Sequence, residues 1–101
     1  MTEIVKSKNE IPIRLNDERW SHITEEHCEL AGLRQEVLET IRDPFSIVEG
    51  RHGEFLAIRS IGRGKFLVVV YRELLRDGFI ITAFLTRKIK FVQRRKRIWP
   101  L

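Results

Sequence analysis

The chain contains one cysteine and no long apolar run, and each scarcity excludes a class of protein. Cys28 alone cannot form an internal disulfide and has no partner at zinc-ligand spacing, which argues against a disulfide scaffold and a structural metal site. The longest apolar run, Phe66 to Tyr71, is far too short to cross a bilayer. The segment from Met1 to Lys6 lacks the apolar core of a signal peptide. We therefore expect a cytoplasmic protein with no membrane partner.

Familiar signatures of metal, nucleotide and serine-hydrolase chemistry are also missing. The sequence contains no HExxH, no paired CxxC and no complete Walker motif. Gly62-Arg63-Gly64-Lys65 lacks the spacing of a phosphate loop and is better interpreted as a hairpin turn. We therefore expect no metal and no other cofactor. Proton transfer near neutral pH would then depend on three histidines, His22, His27 and His52.

Positive charge is abundant, and it is segregated along the chain. Residues 1–50 carry six Lys and Arg against eleven Asp and Glu, whereas residues 51–101 carry thirteen against three. The acidic half has helical periodicity and the basic half has strand periodicity, so one face of the fold should be positive. Such a face suits a polyanion, above all nucleic-acid phosphate. The alternative is that the basic residues only keep the domain soluble.

The acidic half predicts two helices. Trp20, Ile23, His27 and Leu30 recur at spacings of three and four, which places them on one stripe of a helix that begins at Asn16 or Asp17 and is broken by Gly32. A second helix is expected over about residues 33–42, and Asp43-Pro44 stops it.

The basic half predicts an antiparallel sheet. Strands are expected at residues 45–49, 54–61, 65–73 and 78–86, with a short edge strand at residues 11–15. The predicted fold is therefore a single α+β domain over residues 1–101, with its core at about 10–90. Two N-terminal helices would pack on a four-stranded antiparallel sheet, followed by a short basic C-terminal helix or tail at residues 87–101.

Helical geometry separates the three histidines. At about 100° per residue, His27 lies within about 20° of Trp20 on the buried stripe, whereas His22 points to nearly the opposite side. His27 is therefore the better candidate for a general acid or base beside a basic sheet. The alternative for His27 is a core histidine that bonds one carbonyl group. His52, between Arg51 and Gly53, is expected at a hairpin tip.

Arg59 and Arg72 lie inside apolar strands, and Thr82 interrupts another one. Guanidinium groups could hold a phosphate there while the hydroxyl binds a phosphate or ribose oxygen. The structural alternative is that the arginines pair with Glu49, Glu54 or Glu73, and that the threonine is simply a good strand former.

The chain resembles a known group of sequences in four stretches: RWSHITEEHCEL at residues 19–30, a helix ending in IRDP, and the strands FLVVVY and GFIITAFLTRK. They are similar to small phage and bacterial nucleases of the barnase, EndoU, colicin and RelE superfamily, including BrnT-type toxins, over about residues 14–90. The resemblance implies two helices on a four-stranded antiparallel sheet, RNA cleavage without a metal, and an inhibitory partner protein.

By motif position, the resemblance assigns the family's helix histidine to His27, with His22 before it, and its strand hydroxyl to Thr82. The chain departs from the pattern at Cys28, which replaces a proline, and at Phe84, which replaces a tyrosine. Tyr71 could supply the hydroxyl that Phe84 lacks.

These observations predict a metal-independent endoribonuclease of the toxin type, in which the ribose 2′-hydroxyl attacks the adjacent phosphorus. The expected catalytic residues are His27, His22, Arg59, Tyr71, Arg72 and Thr82. The residues expected to bind nucleic acid are Arg63, Lys65, Arg87, Lys88, Arg94, Arg95, Lys96 and Arg97. RNA is the expected partner, and a cognate antitoxin or inhibitor protein is the second. The alternative from another class is a non-catalytic module that binds nucleic acid or a partner protein.

Overall fold

The computed structural model describes residues 1–101 as one mixed sheet with three helices. The strands are β1 (Thr2–Lys6), β2 (Pro12–Asn16), β3 (Ser46–Glu49), β4 (Phe55–Gly62), β5 (Lys65–Glu73), β6 (Gly78–Thr86) and β7 (Arg97–Trp99). The helices are α1 (Asp17–Glu26), α2 (Arg34–Arg42) and α3 (Ile89–Gln93), with a 3-10 turn at Cys28–Leu30. The strand order is β1-β2-β6-β5-β4-β3-β7, and only the β2–β6 pair is parallel.

The predicted architecture of two N-terminal helices on a four-stranded antiparallel sheet is wrong. The chain begins with a β1–β2 hairpin, in which β2 corresponds to the strand expected at residues 11–15 but lies between β1 and β6 rather than at the sheet edge. β1, β2 and β7 extend the predicted four strands into a mixed sheet of seven. β1 is difficult to detect because it is an edge strand with no fully buried residue, so its sequence needs little apolar content. The segment expected as a short basic C-terminal helix or tail does form a helix, α3, but it then returns as β7 beside β3.

β6 joins the β1–β2 hairpin to the other four strands of the sheet. It pairs with β5 along its length, from Phe66 and Thr86 to Glu73 and Gly78. On its other side it pairs with β2 only at Gly78 and Phe79. The register between β5 and β6 shifts at Val70 and Tyr71, whose partners are Thr82 and Ile80, so Ile81 is an extra residue that forms a β-bulge.

Both faces of the sheet are covered, but unequally. We call the side that carries α1 and α2 the helix face. Its core consists of Ile13, Leu15, Ile23, Leu30, Val37, Leu38, Ile41, Ile47, Ala57, Leu67, Val69, Tyr71, Ile80 and Ala83. The opposite side, here called the α3 face, has a smaller core of Val48, Leu56, Ile58 and Val68 under Ile89 and Val92 of α3. The helix face therefore supplies most of the hydrophobic stabilisation, and part of the α3 face stays accessible.

The first helix is shorter than its apolar stripe suggests. Asn16 caps it, since its side-chain oxygen accepts a hydrogen bond of 2.7 Å from the Arg19 N–H. The α-helix ends at Glu26, and His27 leaves helical geometry with φ −130° and ψ 72°. Leu30 is still buried, but it reaches the core from the 3-10 turn rather than from a continuing helix. None of the helices is long and apolar enough to span a membrane.

Gly78 lies where β2, β6 and β5 meet, and its lack of a side chain allows this junction. A Cβ atom there would collide with the backbone carbonyl oxygen of Arg72 and with the Ile13 side chain. We expect Gly78→Ala to lower the free energy of unfolding by about 1–3 kcal/mol, because backbone must shift to admit the methyl group. Chemical denaturation measures this change.

The matched control is Gly50→Ala, where the new methyl group would meet the flexible side chain of Glu54 rather than backbone. A Gly78→Ala protein no less stable than Gly50→Ala would contradict the strand junction described above.

Candidate active site between α1 and β6

The two arginines expected to form one clamp lie on opposite faces of the sheet. Arg59 is on the helix face, where its Nη1 atom donates to Glu39 Oε2 of α2 at 3.1 Å. Arg72 is on the α3 face, where its Nη2 atom donates to the carbonyl oxygen of His52 at 3.0 Å. One phosphate therefore cannot contact both.

The carboxylates suggested as partners for these arginines are engaged elsewhere. Glu73 accepts hydrogen bonds from the Ser7 hydroxyl and, at 2.9 Å, from Asn9 Nδ2. Glu54 accepts the backbone N–H of His52 at 2.9 Å, and this bond is the main reason that the pKa of the Glu54 carboxyl is lowered. The arginines thus have local partners, but not the expected ones.

Tyr71 belongs to the core of the helix face. Its side chain is only 1% exposed, and its ring centroid lies 5.6 Å from that of Phe55. Burial raises the pKa of the phenol well above its ordinary value, with a smaller contribution from the charge of Glu73. The hydroxyl of Tyr71 is therefore not presented to a ligand at the surface and does not replace a tyrosine at position 84.

His27 is not a core histidine, because it follows the end of α1. Its side chain is 32% exposed, and Nδ1 lies 3.7 Å from Glu29 Oε2. Its ring is 6.3 Å from that of Phe84, between centroids. His27 therefore lies beside β6, one residue after the last residue of α1.

His22 and Thr82 do come together, in a cleft between α1 and the free edge of β6. This α1–β6 cleft is lined by Arg19, His22, Ile23, Glu26, Ile81 and Thr82, and its volume is about 250 Å³. Arg19, His22 and Glu26 are spaced by three and four residues, so they form one stripe along α1. Ile81 and Thr82 line the other side of the cleft at the bulge in β6, where β2 no longer pairs.

The cleft opens onto a shallower depression of about 390 Å³ that includes Asn16 and Glu18 and shares Arg19, His22 and Glu26. His22 Nε2 lies 3.9 Å from Glu18 Oε1. An imidazole, a guanidinium group and carboxylates thus lie around one space, with Thr82 of β6 at its border. These are the groups that proton transfer and the stabilisation of a developing anion require.

Arg19 and Glu26 were not among the predicted site residues. Both lie beside His22 on the side of α1 that is opposite Trp20, and a polar stripe on a helix is usually a solvated surface. The signal that could have found them is their helical spacing from His22 within the RWSHITEEH stretch. No three His, Cys, Asp or Glu side chains are arranged to hold a metal ion.

Most cations of the basic half have no carboxylate partner. Of the thirteen Lys and Arg after residue 50, only Arg59 makes an ion pair. In the acidic half, Lys8, Arg14, Arg34 and Arg42 are all paired. The positive charge of the basic half is therefore left available to an external anion.

The residues predicted to bind nucleic acid form two groups, one before and one after α3. Arg63 and Lys65 lie at the β4–β5 hairpin tip, and Arg87 Nη1 donates to the Arg63 carbonyl oxygen at 2.7 Å. Lys88 precedes α3 directly. The second group, Arg94, Arg95, Lys96 and Arg97, follows the helix. All of these side chains except the half-buried Arg95 are exposed.

Comparison with protein-family models, with curated proteins and with solved structures finds no match to this chain. The resemblance to the barnase, EndoU, colicin and RelE nucleases therefore stays a prediction. Functional proposals for this chain depend on the chemistry of its own residues.

The pairing pattern predicts which cations stabilise the fold. Replacing Arg94, Arg95, Lys96 and Arg97 together with Gln should change the free energy of unfolding by less than about 1 kcal/mol, because none has an ionic partner to lose. Arg34 is the contrasting case, since it bridges Glu3 at 2.6 Å and Asp17 at 2.8 Å with its side chain only 20% exposed. We expect Arg34→Gln to cost about 1–3 kcal/mol.

Thermal and chemical denaturation of both variants provide the measurement. A quadruple variant that is less stable than Arg34→Gln would mean that the C-terminal cations belong to the structural framework rather than to a binding surface.

Proposed function

We propose that the protein is a metal-independent endoribonuclease whose active site is the α1–β6 cleft. The observation that carries the proposal is the meeting of His22, Glu26, Arg19 and Thr82 around one space. The proposed reaction is the one expected from the sequence, but it is assigned to other residues, because His27, Arg59, Arg72 and Tyr71 do not line this cleft. The resemblance of the RWSHI and ITAF stretches to nuclease motifs supports the same two segments.

In the proposed reaction the ribose 2′-oxygen attacks phosphorus and the bond from phosphorus to the 5′-oxygen breaks. Glu26 accepts the proton of the 2′-hydroxyl, and the imidazolium form of His22 donates a proton to the leaving 5′-oxygen. Arg19 stabilises the charge that develops on the phosphoryl oxygens, and Thr82 borders the cleft on the β6 side. The products are a 2′,3′-cyclic phosphate and a free 5′-hydroxyl.

The unpaired cations of the basic half supply the positive charge that the cleft lacks. Glu18 and Glu26 give the cleft a partly negative character, which alone would repel RNA. Exposed Lys and Arg at the β4–β5 hairpin tip, directly after β6 and around α3 attract the phosphate backbone and increase its local concentration near the cleft. Binding and cleavage would then use different residues of one surface.

A second candidate function is a nucleic-acid-binding module without catalysis. The observation that favours it is the position of Arg59 and Arg72 on opposite faces, which removes the expected phosphate clamp. In that case the basic residues bind RNA, and the polar stripe of α1 is an ordinary solvated surface. Cleavage assays separate the two functions.

The proposed mechanism predicts that the protein cleaves single-stranded RNA in EDTA and leaves 2′,3′-cyclic phosphate ends. His22→Ala and Glu26→Gln should each slow cleavage by about 10²- to 10⁴-fold, because each removes one positioned proton-transfer group. Gel analysis of end-labelled RNA measures the rates and the product ends, and melting curves establish that each variant is folded.

The matched control is Glu25→Gln, an exposed residue of α1 outside the cleft, which should cleave at the wild-type rate. His27→Ala distinguishes the two histidine assignments. Activity that is lost in His27→Ala but kept in His22→Ala would place the chemistry at the end of α1. Absence of cleavage by the wild-type protein, with RNA affinity retained, would leave the binding module.

A further inference from the structure

A second concavity lies between α3 and the sheet. This α3 groove has a volume of about 350 Å³. Its apolar lining consists of Leu56, Val70 and Phe84 from three neighbouring strands and Phe91 and Val92 from α3. The size and the apolar lining are within the range of sites that enclose small flat ligands.

One end of the α3 groove is positively charged. Arg51 and Arg95 line both the groove and an adjoining depression, where Arg94 and Lys96 join them. These four cations make no ion pair, and they outnumber the two carboxylates of the same surface, Glu49 and Glu54. The Glu54 carboxylate already accepts the N–H of His52. The charge balance therefore favours an anionic ligand.

Two phenylalanines give this charged surface an aromatic component. Phe91 is 65% exposed on α3, and the Arg94 guanidinium carbon lies 5.3 Å from the centre of its ring. Phe84 is half-buried in the lining, and the centre of its ring lies 6.3 Å from that of the His27 ring. Aromatic rings next to arginines are the arrangement on which the bases of single-stranded nucleic acids stack.

The groove adjoins the α1–β6 cleft through β6. Thr82, which lines the cleft, is the strand partner of Val70, which lines the groove. Phe84 follows Thr82 by two residues, a separation of about 7 Å along a strand. A nucleotide bound at the cleft would therefore have its neighbour close to the groove.

We propose that the α3 groove binds an unpaired base of RNA, next to the nucleotide whose phosphate occupies the α1–β6 cleft. Phe84 and Phe91 contact the base, while Arg51 and Arg95 contact its flanking phosphates. The inference rests on the proposed function for the position of the scissile phosphate. It deepens that function by naming the substrate class as single-stranded RNA, because a base that is stacked and paired in a duplex cannot enter the groove.

Binding of an uncleavable RNA tests the groove independently of catalysis. The probe is a fluorescent 2′-O-methyl RNA oligonucleotide, which has no 2′-hydroxyl to attack the phosphate, measured by anisotropy. It is compared with its duplex and with an abasic oligonucleotide of the same length. Phe91→Ala should weaken binding of the single strand by about 5- to 100-fold, the loss of one stacked base, and leave the abasic oligonucleotide unaffected.

The matched control is Leu75→Ala, which truncates an apolar side chain that is 89% exposed in the turn between β5 and β6, outside the groove. It should bind all three probes as wild type does. Arg95→Gln provides a second variant, which should reduce the log–log salt slope of single-strand binding by about 0.7.

Equal affinity for single strand and duplex, or unchanged binding in Phe91→Ala, would overturn the inference. Competition by polyglutamate as effective as that by the RNA would overturn it as well, and would assign the surface to an acidic polypeptide. His22→Ala separates this proposal from the active-site proposal, since it should lose cleavage of RNA but keep the preference of the protein for the single strand over the duplex. Normal cleavage with groove-independent binding refutes the groove alone, whereas groove-dependent binding without cleavage refutes the nuclease alone.

Discussion

The arrangement of the whole molecule depends on how little of β6 pairs with β2. The parallel contact is limited to Gly78 and Phe79, so β6 has a full partner on the β5 side and a free edge beyond residue 79. A strand edge exposes unpaired backbone groups and invites further pairing, which folded proteins prevent by covering the edge. Here α1 runs beside it, and the space that remains between helix and strand is the cleft that contains His22 and Thr82.

The two halves of the chain differ in whether their cations find carboxylate partners within the fold. On the acidic half, arginines such as Arg34 connect helix, strand and chain start through carboxylates, so their charge is neutralised within the fold. On the basic half, the cations surround a sheet face whose apolar core is small and incompletely covered. The segregation of charge in the sequence thus corresponds to a division between an internally paired region and a surface free to bind an anion.

The central strands could be predicted from the sequence, because runs of Val, Ile and Phe between glycine-containing turns are local signals. The observed β3 to β6 begin and end within a few residues of the predicted ranges. The sheet edges could not be predicted in the same way. β1 has no buried residue, and the parallel β2–β6 pair joins residues far apart in the chain, which local patterns do not encode.

The candidate site was only partly predictable for a similar reason. His22 and Thr82 belong to segments with recognisable motifs. Glu26 becomes a candidate site residue only in the folded structure, where it lines the same cleft as the edge of β6. The assignment of His27 assumed a helix through Leu30, and the early end of α1 moves that side chain toward Phe84. Whether Arg59 and Arg72 share a face depends on the register of β4 and β5, which the spacing of the two residues alone does not determine.

The bulge at Ile81 makes β6 unusually sensitive to changes in length. Ile80 and Ala83 both face α1 and α2 although they are three positions apart, because Ile81 is inserted between two otherwise regular halves of the strand. Removing a single residue here would exchange the two sides of one half of the strand. Either Ile80 would turn outward, or Ala83 would turn outward and Thr82 and Phe84 would turn together toward the helix face. Related chains would therefore be expected to vary in the side chains of this segment much more readily than in its number of residues.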